Sequence, residues 1–156
     1  MPCPASYTAR VTKVDLSDAI QDYLKEIYKL GSESERVSTS SLARRQQVSP
    51  ASASAMVKKL AALGLAEHTP YRGVTLTHAG AQVALEVIRH HRLLELYLAE
   101  TLGIGVDDVH DEADRLEHAL SEELEARIDK ALGFPTHDPH GEAIPNAKLE
   151  WPKEPA

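Results

Sequence analysis

The stretch His110-Asp111-Glu112-Ala113-Asp114-Arg115-Leu116-Glu117-His118 concentrates imidazoles and carboxylates at helical intervals. On a helix, His110, Asp114, Glu117 and His118 fall at i, i+4, i+7 and i+8 and share one face, while Val109, Ala113, Leu116 and Leu120 form another face suited to a core. His91 and Glu95 repeat the i, i+4 spacing earlier in the chain. Divalent cations need oxygen and nitrogen donors converging on one point, and helical neighbours one turn apart supply that. An isolated pair such as His91/Glu95 is more often an ordinary surface pair; the denser 110–118 set favours ligation. Asp22 lies on a polar face with Asp18 and Lys25 nearby, as on a solvated stripe. His90, His137 and His140 have no partners at ligand spacing and read as solvent-exposed. No HExxH arrangement accompanies these groups, so hydrolytic metal chemistry is not expected, and the chain is read as a non-enzyme.

Composition bounds the elements that must position these residues. The chain has 156 residues, 42% hydrophobic, 26% charged and only 4% aromatic, so its core must be mostly Leu, Val, Ile and Ala. The single cysteine, Cys3, rules out an internal disulfide or a cysteine-based zinc site and fits a reducing cytoplasm. Met1-Pro2-Cys3-Pro4 lacks the apolar core of a signal peptide, no apolar run is long enough for a bilayer, and no membrane partner is expected. The net charge of −7 is divided unevenly: residues 1–80 carry +3 and residues 81–156 carry −10. One half is suited to polyanions and the other to cations.

The periodicity predicts a mainly α protein. Residues 1–14 show no clear pattern. Helical spacing runs from Asp15 to Leu30, a polar connection covers Ser32 to Arg36, and shorter helices span Ser40–Gln46 and Pro50–Leu63, the latter capped by Ser49. Leu65–His68 and Val74–Leu76 are strand candidates around a basic turn, Thr69–Gly73. Three helices and a hairpin describe a winged helix-turn-helix. A long helix from His78 to about Thr101 follows, then helices over Asp107–Leu120 and from Ser121 to Leu132. The predicted organisation is a winged helix-turn-helix DNA-binding domain over 1–77, an α-helical dimerisation and metal-binding domain over 78–140, and an irregular tail over 141–156.

The helix starting at Pro50 is the expected reader of the major groove. Its leading residues Ser49, Pro50, Ala51, Ser52 and Ala55 are small and lack the bidentate reach of Arg, Asn or Gln, so specificity is expected largely from DNA shape and half-site spacing. Arg44, Arg45, Lys58, Lys59 and Arg72 are the candidate phosphate contacts, with Thr39, Ser40 and Tyr71 as neutral donors.

Five segments, in this order, resemble the DtxR/MntR family of metalloregulators. They are Asp22-Tyr23-Leu24-Lys25-Glu26-Ile27-Tyr28; Val48-Ser49-Pro50 with Met56-Val57-Lys58-Lys59-Leu60; Tyr71-Arg72-Gly73 with Leu76-Thr77; His91-Arg92-Leu93-Leu94-Glu95; and Val109-His110-Asp111-Glu112-Ala113 through Glu117-His118. The resemblance covers about Asp15 to Pro145. It implies a homodimer on palindromic double-stranded operator DNA, repressing metal-uptake genes when loaded with metal. It also implies a primary metal site of Asp22, Asp114, Glu117 and His118 and an ancillary site of His91, Glu95 and His110. Iron-responsive relatives place Met and Cys where this chain has Asp22 and Asp114; hard oxygen ligands suit Mn(II), with Fe(II) as the alternative and other divalent metals binding in vitro.

Lys25 departs from the pattern, standing where some manganese regulators carry a second acidic ligand. Many longer relatives carry a C-terminal SH3-like domain that contributes to the ancillary site; with the sequence ending at Ala156 that domain is not expected here, and the site is expected to be water-completed or weak. The implied mechanism is a population shift: repulsion among Asp22, Asp114 and Glu117 frees the first helix, and a cation fixes the angle between domains. Dimerisation is expected through apolar helix faces between residues 78 and 132. A metal-independent winged-helix regulator sensing a small molecule is the alternative class.

Overall fold

Residues 16–31 and 36–153 are described by the computed structural model. The expected irregular N-terminus and Ser32–Glu35 of the polar connection lie outside them. Four hydroxyl side chains set helix starts: Ser38, Ser49, Thr77 and Ser121 are extended and accept from the backbone N–H of Ser41, Ser52, Gly80 and Leu124, satisfying donors that the first turn leaves free. The elements are α1 (Asp18–Gly31), α2 (Thr39–Gln46), α3 (Pro50–Ala62), β1 (Ala66–Thr69), β2 (Gly73–Leu76), α4 (His78–Leu102), α5 (Val109–Leu116) and α6 (Glu122–Ala131). Pro50 opens α3, where its missing N–H costs nothing.

The strands pair antiparallel, Ala66 opposite Leu76 and Thr69 opposite Gly73. Val37 joins their edge, exchanging backbone hydrogen bonds of 2.9 and 2.8 Å with Val74. The mainly α architecture with a small hairpin agrees with the sequence prediction. α4 is the spine. Val83 and Ala84 pack into a core with Leu24, Ile27, Leu42, Val57, Leu60 and Leu65, whereas Leu93, Leu94 and Leu96 pack into a second core with Ala113, Leu120, Ile128 and Ile144. Gly80 lets the start of α4 lie against β1: a Cβ there would stand 1.9 Å from the Leu65 carbonyl oxygen.

Two expectations are corrected. α5 stops at Leu116 rather than reaching Leu120. Ser121 must be extended to cap α6, so the chain leaves the helix in a tight turn, with Ala119 N–H on the Leu116 carbonyl at 3.1 Å. His90 is fully buried, not solvent-exposed. It pairs with Glu125, which also receives Arg89; Arg89 further donates to Asp129 Oδ2 (2.9 Å) and the Pro145 carbonyl (2.9 Å). Buried charges persist where they are paired in this way, and the network fixes α6 and the following segment on α4. That segment has no helix or strand, yet Ile144 and Leu149 are buried. Trp151 donates to the Tyr28 hydroxyl at 3.0 Å and stacks on its ring, so the C-terminal segment reaches back to α1.

Candidate metal centre and nucleic-acid interface

α1 packs against α4, α4 packs against α5, and the facing polar residues meet along that seam. Asp22 and Lys25 come from α1, His91 and Glu95 from α4, His110 and Asp114 from α5, and Glu117 and His118 from the turn beyond it. Glu117 is fully buried. Its Oε1 lies 2.7 Å from Lys25 Nζ and its Oε2 lies 2.6 Å from His91 Nδ1. Lys25 Nζ is also 3.6 Å from Asp114 Oδ1. His118 Nε2 is 3.0 Å from Asp22 Oδ1, while its Nδ1 meets Gln21 Oε1 at 2.7 Å. His91 Nε2 approaches Glu95 Oε1 at 2.7 Å and His110 Nδ1 at 3.1 Å.

Ligand atoms that lie within 4.8 Å of one another therefore group as Asp22/Glu117/His118 and as His91/His110/Asp114. Asp114, expected with the first set, falls with the two imidazoles. Glu95, expected with His91 and His110, keeps its 2.7 Å contact with His91 Nε2, and it also groups with Asp138 and His140. Each set has the donors of a divalent cation site, and two carboxylates with one imidazole, or two imidazoles with one carboxylate, suit Mn(II) or Fe(II).

Cationic side chains already compensate these carboxylates, so the expected bare repulsion among Asp22, Asp114 and Glu117 is not present. Burial works to lower the Lys25 pKa, but the charge and hydrogen bond of Glu117, then Asp114 and Asp22, hold it above the usual lysine value. Burial likewise opposes charge on His91; hydrogen bonds to Asp114, Glu117 and Glu95 outweigh it and raise its pKa from 6.5 to about 10. The Asp22 hydrogen bond raises His118 against burial. Burial would raise Asp114, yet His91 and Lys25 bring it from 3.8 down to about 2.

The pH consequence has a definite sign. A folded-state pKa above the unfolded one gives His91 a contribution complete below pH 6.5 and lost as pH rises toward about 10. The contribution of Asp114 is present above pH 3.8 and lost toward about 2. The thermal midpoint of chelator-treated protein is expected to fall as pH is raised from 6.5 to about 10. A flat midpoint across that window contradicts a charged His91.

The candidate DNA-contact residues lie on α2, α3 and the turn between β1 and β2. Ser40, Arg44, Ser49, Pro50, Ala51, Ser52, Ala55, Lys58, Lys59, Tyr71 and Arg72 are exposed; Thr39 is half-buried. Arg45 is exposed but engaged, its guanidinium 3.0 Å from Glu26. Ser49 is partly committed as the α3 cap, with Oγ 2.9 Å from Ser52 Oγ. Tyr71 sits at the hairpin tip with φ 64° and its side chain fully in solvent.

Two family models match in sequence order. The one described as iron dependent repressor, N-terminal DNA binding domain, covers residues 15–74, and the one described as iron dependent repressor, metal binding and dimerisation domain, covers residues 77–146. The chain belongs to the iron-dependent repressor family. Family members are metal-dependent DNA-binding repressors, in keeping with the DtxR/MntR resemblance. An HTH-type transcriptional regulator of Methanocaldococcus jannaschii is 37% identical over 114 residues, 72% of this chain and 91% of its own length. The iron-dependent repressor IdeR of Mycobacterium leprae is 37% identical over 131 residues, 84% of this chain. The solved structure of a manganese-dependent transcriptional repressor in complex with manganese superposes with a TM-score of 0.78 at 48% identity, over 87% of this chain. This family member spans 57% of the Mycobacterium leprae repressor and 63% of the manganese-bound chain. Among its described residues, no helix is long and apolar enough to cross a membrane.

Spacing along the chain could not find Lys25, Gln21 or His140. Each meets its partner across 45 to 97 positions of sequence, through the tertiary fold. The signal available for Lys25 was its place three residues after Asp22, one turn along the same helix.

Proposed function

We propose that the chain is a Mn(II)-responsive, dimeric transcriptional repressor whose hold on operator DNA depends on a cation shared between α1 and the turn after α5. The reading rests on one observation above all: His118 Nε2 lies 3.0 Å from Asp22 Oδ1, so ligand-type groups from the DNA-binding half and the helical half meet, with Glu117 beside them. Asp22, Glu117 and His118 would hold one ion, and His91, His110 and Asp114 a second. A bound divalent metal supplies concentrated positive charge and directional bonds at these points.

The chain's own residues supply the rest. Lys25 occupies Glu117 as an internal counter-charge, and His91, as an imidazolium, donates Nδ1–H to Glu117 and Nε2–H to Glu95. Lys25 would have to swing aside and His91 to give up a proton for the site to take an ion, so metal uptake would release a proton and strengthen with pH. α1 carries both Asp22 and Lys25, so a change of partner at the seam biases the tilt of α1, and with it α2 and α3. Two α3 helices of a dimer then present themselves about one DNA turn, roughly 34 Å, apart. Exposed Leu102, Leu116 and Leu124 are available for the dimer contact. Residues 1–77 read DNA, residues 78–140 dimerise and sense metal, and the protein works in the cytoplasm without catalysis.

Mn(II) is favoured over Fe(II) by the oxygen donors Asp22 and Asp114 and by the 48% identity with the manganese-dependent repressor, against 37% with the iron-dependent one. The test is a mobility shift on DNA from metal-uptake promoters. Mn(II) is expected to tighten binding at least about ten-fold, a difference of about 1.4 kcal/mol, with full reversal by EDTA and a weaker effect of Fe(II) under anaerobic conditions. Binding indifferent to both Mn(II) and EDTA would point to the small-molecule sensor instead.

A further inference from the structure

His90 is fully buried on α4, and its two ring nitrogens differ in what they meet. Nε2 pairs with Glu125 Oε2, and Glu125 Oε1 receives Arg89, so both oxygens of this carboxylate are taken. Nδ1, equally buried, has no hydrogen-bond partner. Protein interiors leave few polar atoms in that condition, and each such atom calls for a physical reason.

Two further carboxylates stand at this ring. Glu86 precedes His90 by four residues on α4, so the two side chains share one helix face, and Glu86 is 6% exposed. Glu122 opens α6, which packs on α4, and is exposed. One oxygen of each carboxylate and a ring nitrogen of His90 lie within 4.8 Å of one another. Donors bound about 2.0–2.2 Å from a shared ion stand at most about 4.4 Å apart, so a small movement of the exposed Glu122 side chain closes the set. With Nε2 held by Glu125, Nδ1 is the nitrogen left for an ion. Metal-bound histidines commonly rest their other ring nitrogen on a carboxylate, the place that Glu125 takes here. Exposed Glu122 above buried Glu86 and His90 gives an ion a way in from solvent.

We propose that Glu86, His90 and Glu122 form a divalent transition-metal site that braces the start of α6 against α4, with Glu125 orienting the imidazole. Two carboxylates and one imidazole accept Zn(II), Co(II), Fe(II) or Mn(II), with water completing the coordination, and the affinity order places Zn(II) and Co(II) above Mn(II). The ion holds firm the helix that presents exposed Leu124. None of the three ligands belongs to the seam between α1, α4 and α5, so the site stands apart from the repressor reading.

The test uses the full chain, stripped with chelator and titrated with Co(II) by equilibrium dialysis. Glu86→Gln/Glu122→Gln keeps side-chain volume and the pairing of Glu125 with His90, and is expected to bind one Co(II) per chain fewer than wild type. Asp22→Ala/His118→Ala is expected to lose its seam ion and keep this one, and to lose a further ion when Glu86→Gln/Glu122→Gln is added. Glu122→Cys, a change at an exposed position, should give a thiolate-to-Co(II) charge-transfer band that wild type lacks and that the further change Glu86→Gln weakens. Unchanged stoichiometry and affinity in Glu86→Gln/Glu122→Gln, or Glu122→Cys without the band, overturns the site and leaves His90 in a plain internal pair with Glu125. The repressor reading is judged separately, by Mn(II)-dependent DNA binding in Asp22→Ala/His118→Ala.

Discussion

Glu117→Ala is expected to cost the metal-free protein about 3–5 kcal/mol, the usual range for removing one partner of a buried ion pair. Glu117 is fully buried and its two oxygens are divided between Lys25 Nζ and His91 Nδ1. Truncation leaves an ammonium and an imidazolium in a low-dielectric seam, with Asp114 at 3.6 and 3.3 Å as the remaining counter-charge. Glu117→Gln preserves shape and one acceptor oxygen and should cost less. Urea unfolding in EDTA reads both, through a lowered midpoint at constant slope. A loss below about 1 kcal/mol for the alanine variant would place Glu117 among solvent-screened pairs, contrary to its burial.

Lys25→Ala is expected to strengthen Mn(II) binding at least about ten-fold, equivalent to about 1.4 kcal/mol. The ammonium stands 2.7 Å from a candidate ligand oxygen, where an incoming cation must face it. Two unit charges about 4 Å apart repel by about 4 kcal/mol at an effective dielectric near 20, so a ten-fold gain claims only part of the available repulsion. The same variant should be less stable without metal, because Glu117 and Asp114 lose their partner. Lys25→Glu should go further, replacing a competitor with a ligand. Free Mn(II), followed by electron paramagnetic resonance during titration, measures the affinity. Equal affinities in wild type and Lys25→Ala would mean that the ammonium and the metal do not share the pocket.

Local chemistry was legible in the sequence wherever it acts over a few residues. Ser49, Thr77 and Ser121 mark helix starts because a cap needs only its own first turn, and the apolar faces of α1 and α4 follow from a period that any window displays. The turn residues Pro70 and Gly73 marked the hairpin. The clustering of His110, Asp114, Glu117 and His118 was visible for the same reason, although the true end of α5 was not: Ser121, four residues after Glu117, imposes extended backbone just where the apolar spacing suggests continuity.

Nonlocal pairings were not legible. Lys25 looked like part of a solvated stripe and proves to be 6% exposed, buried by the packing of α1 against α4. His90 was set aside although Glu86 stands four positions before it on α4; its hydrogen-bond partner, Glu125, lies 35 positions away on α6 and could not be read from spacing. His140 was set aside for want of a neighbour at helical spacing, and its neighbours come from Glu95 and the Val106 carbonyl, across the fold. The regrouping of Asp114 with His91 and His110 has the same origin: helical spacing places side chains on a face, and only the crossing of α4 over α5 decides which of them meet.

Fluorescence anisotropy on labelled operator DNA tests the link between the seam and DNA most directly, with wild type, Asp22→Ala and His118→Ala compared with and without Mn(II). The wild-type chain is expected to bind tightly only with Mn(II), and both variants to remain folded dimers whose weak binding no longer responds to the ion. Wild-type metal dependence preserved in both variants would show that these residues do not connect metal to DNA.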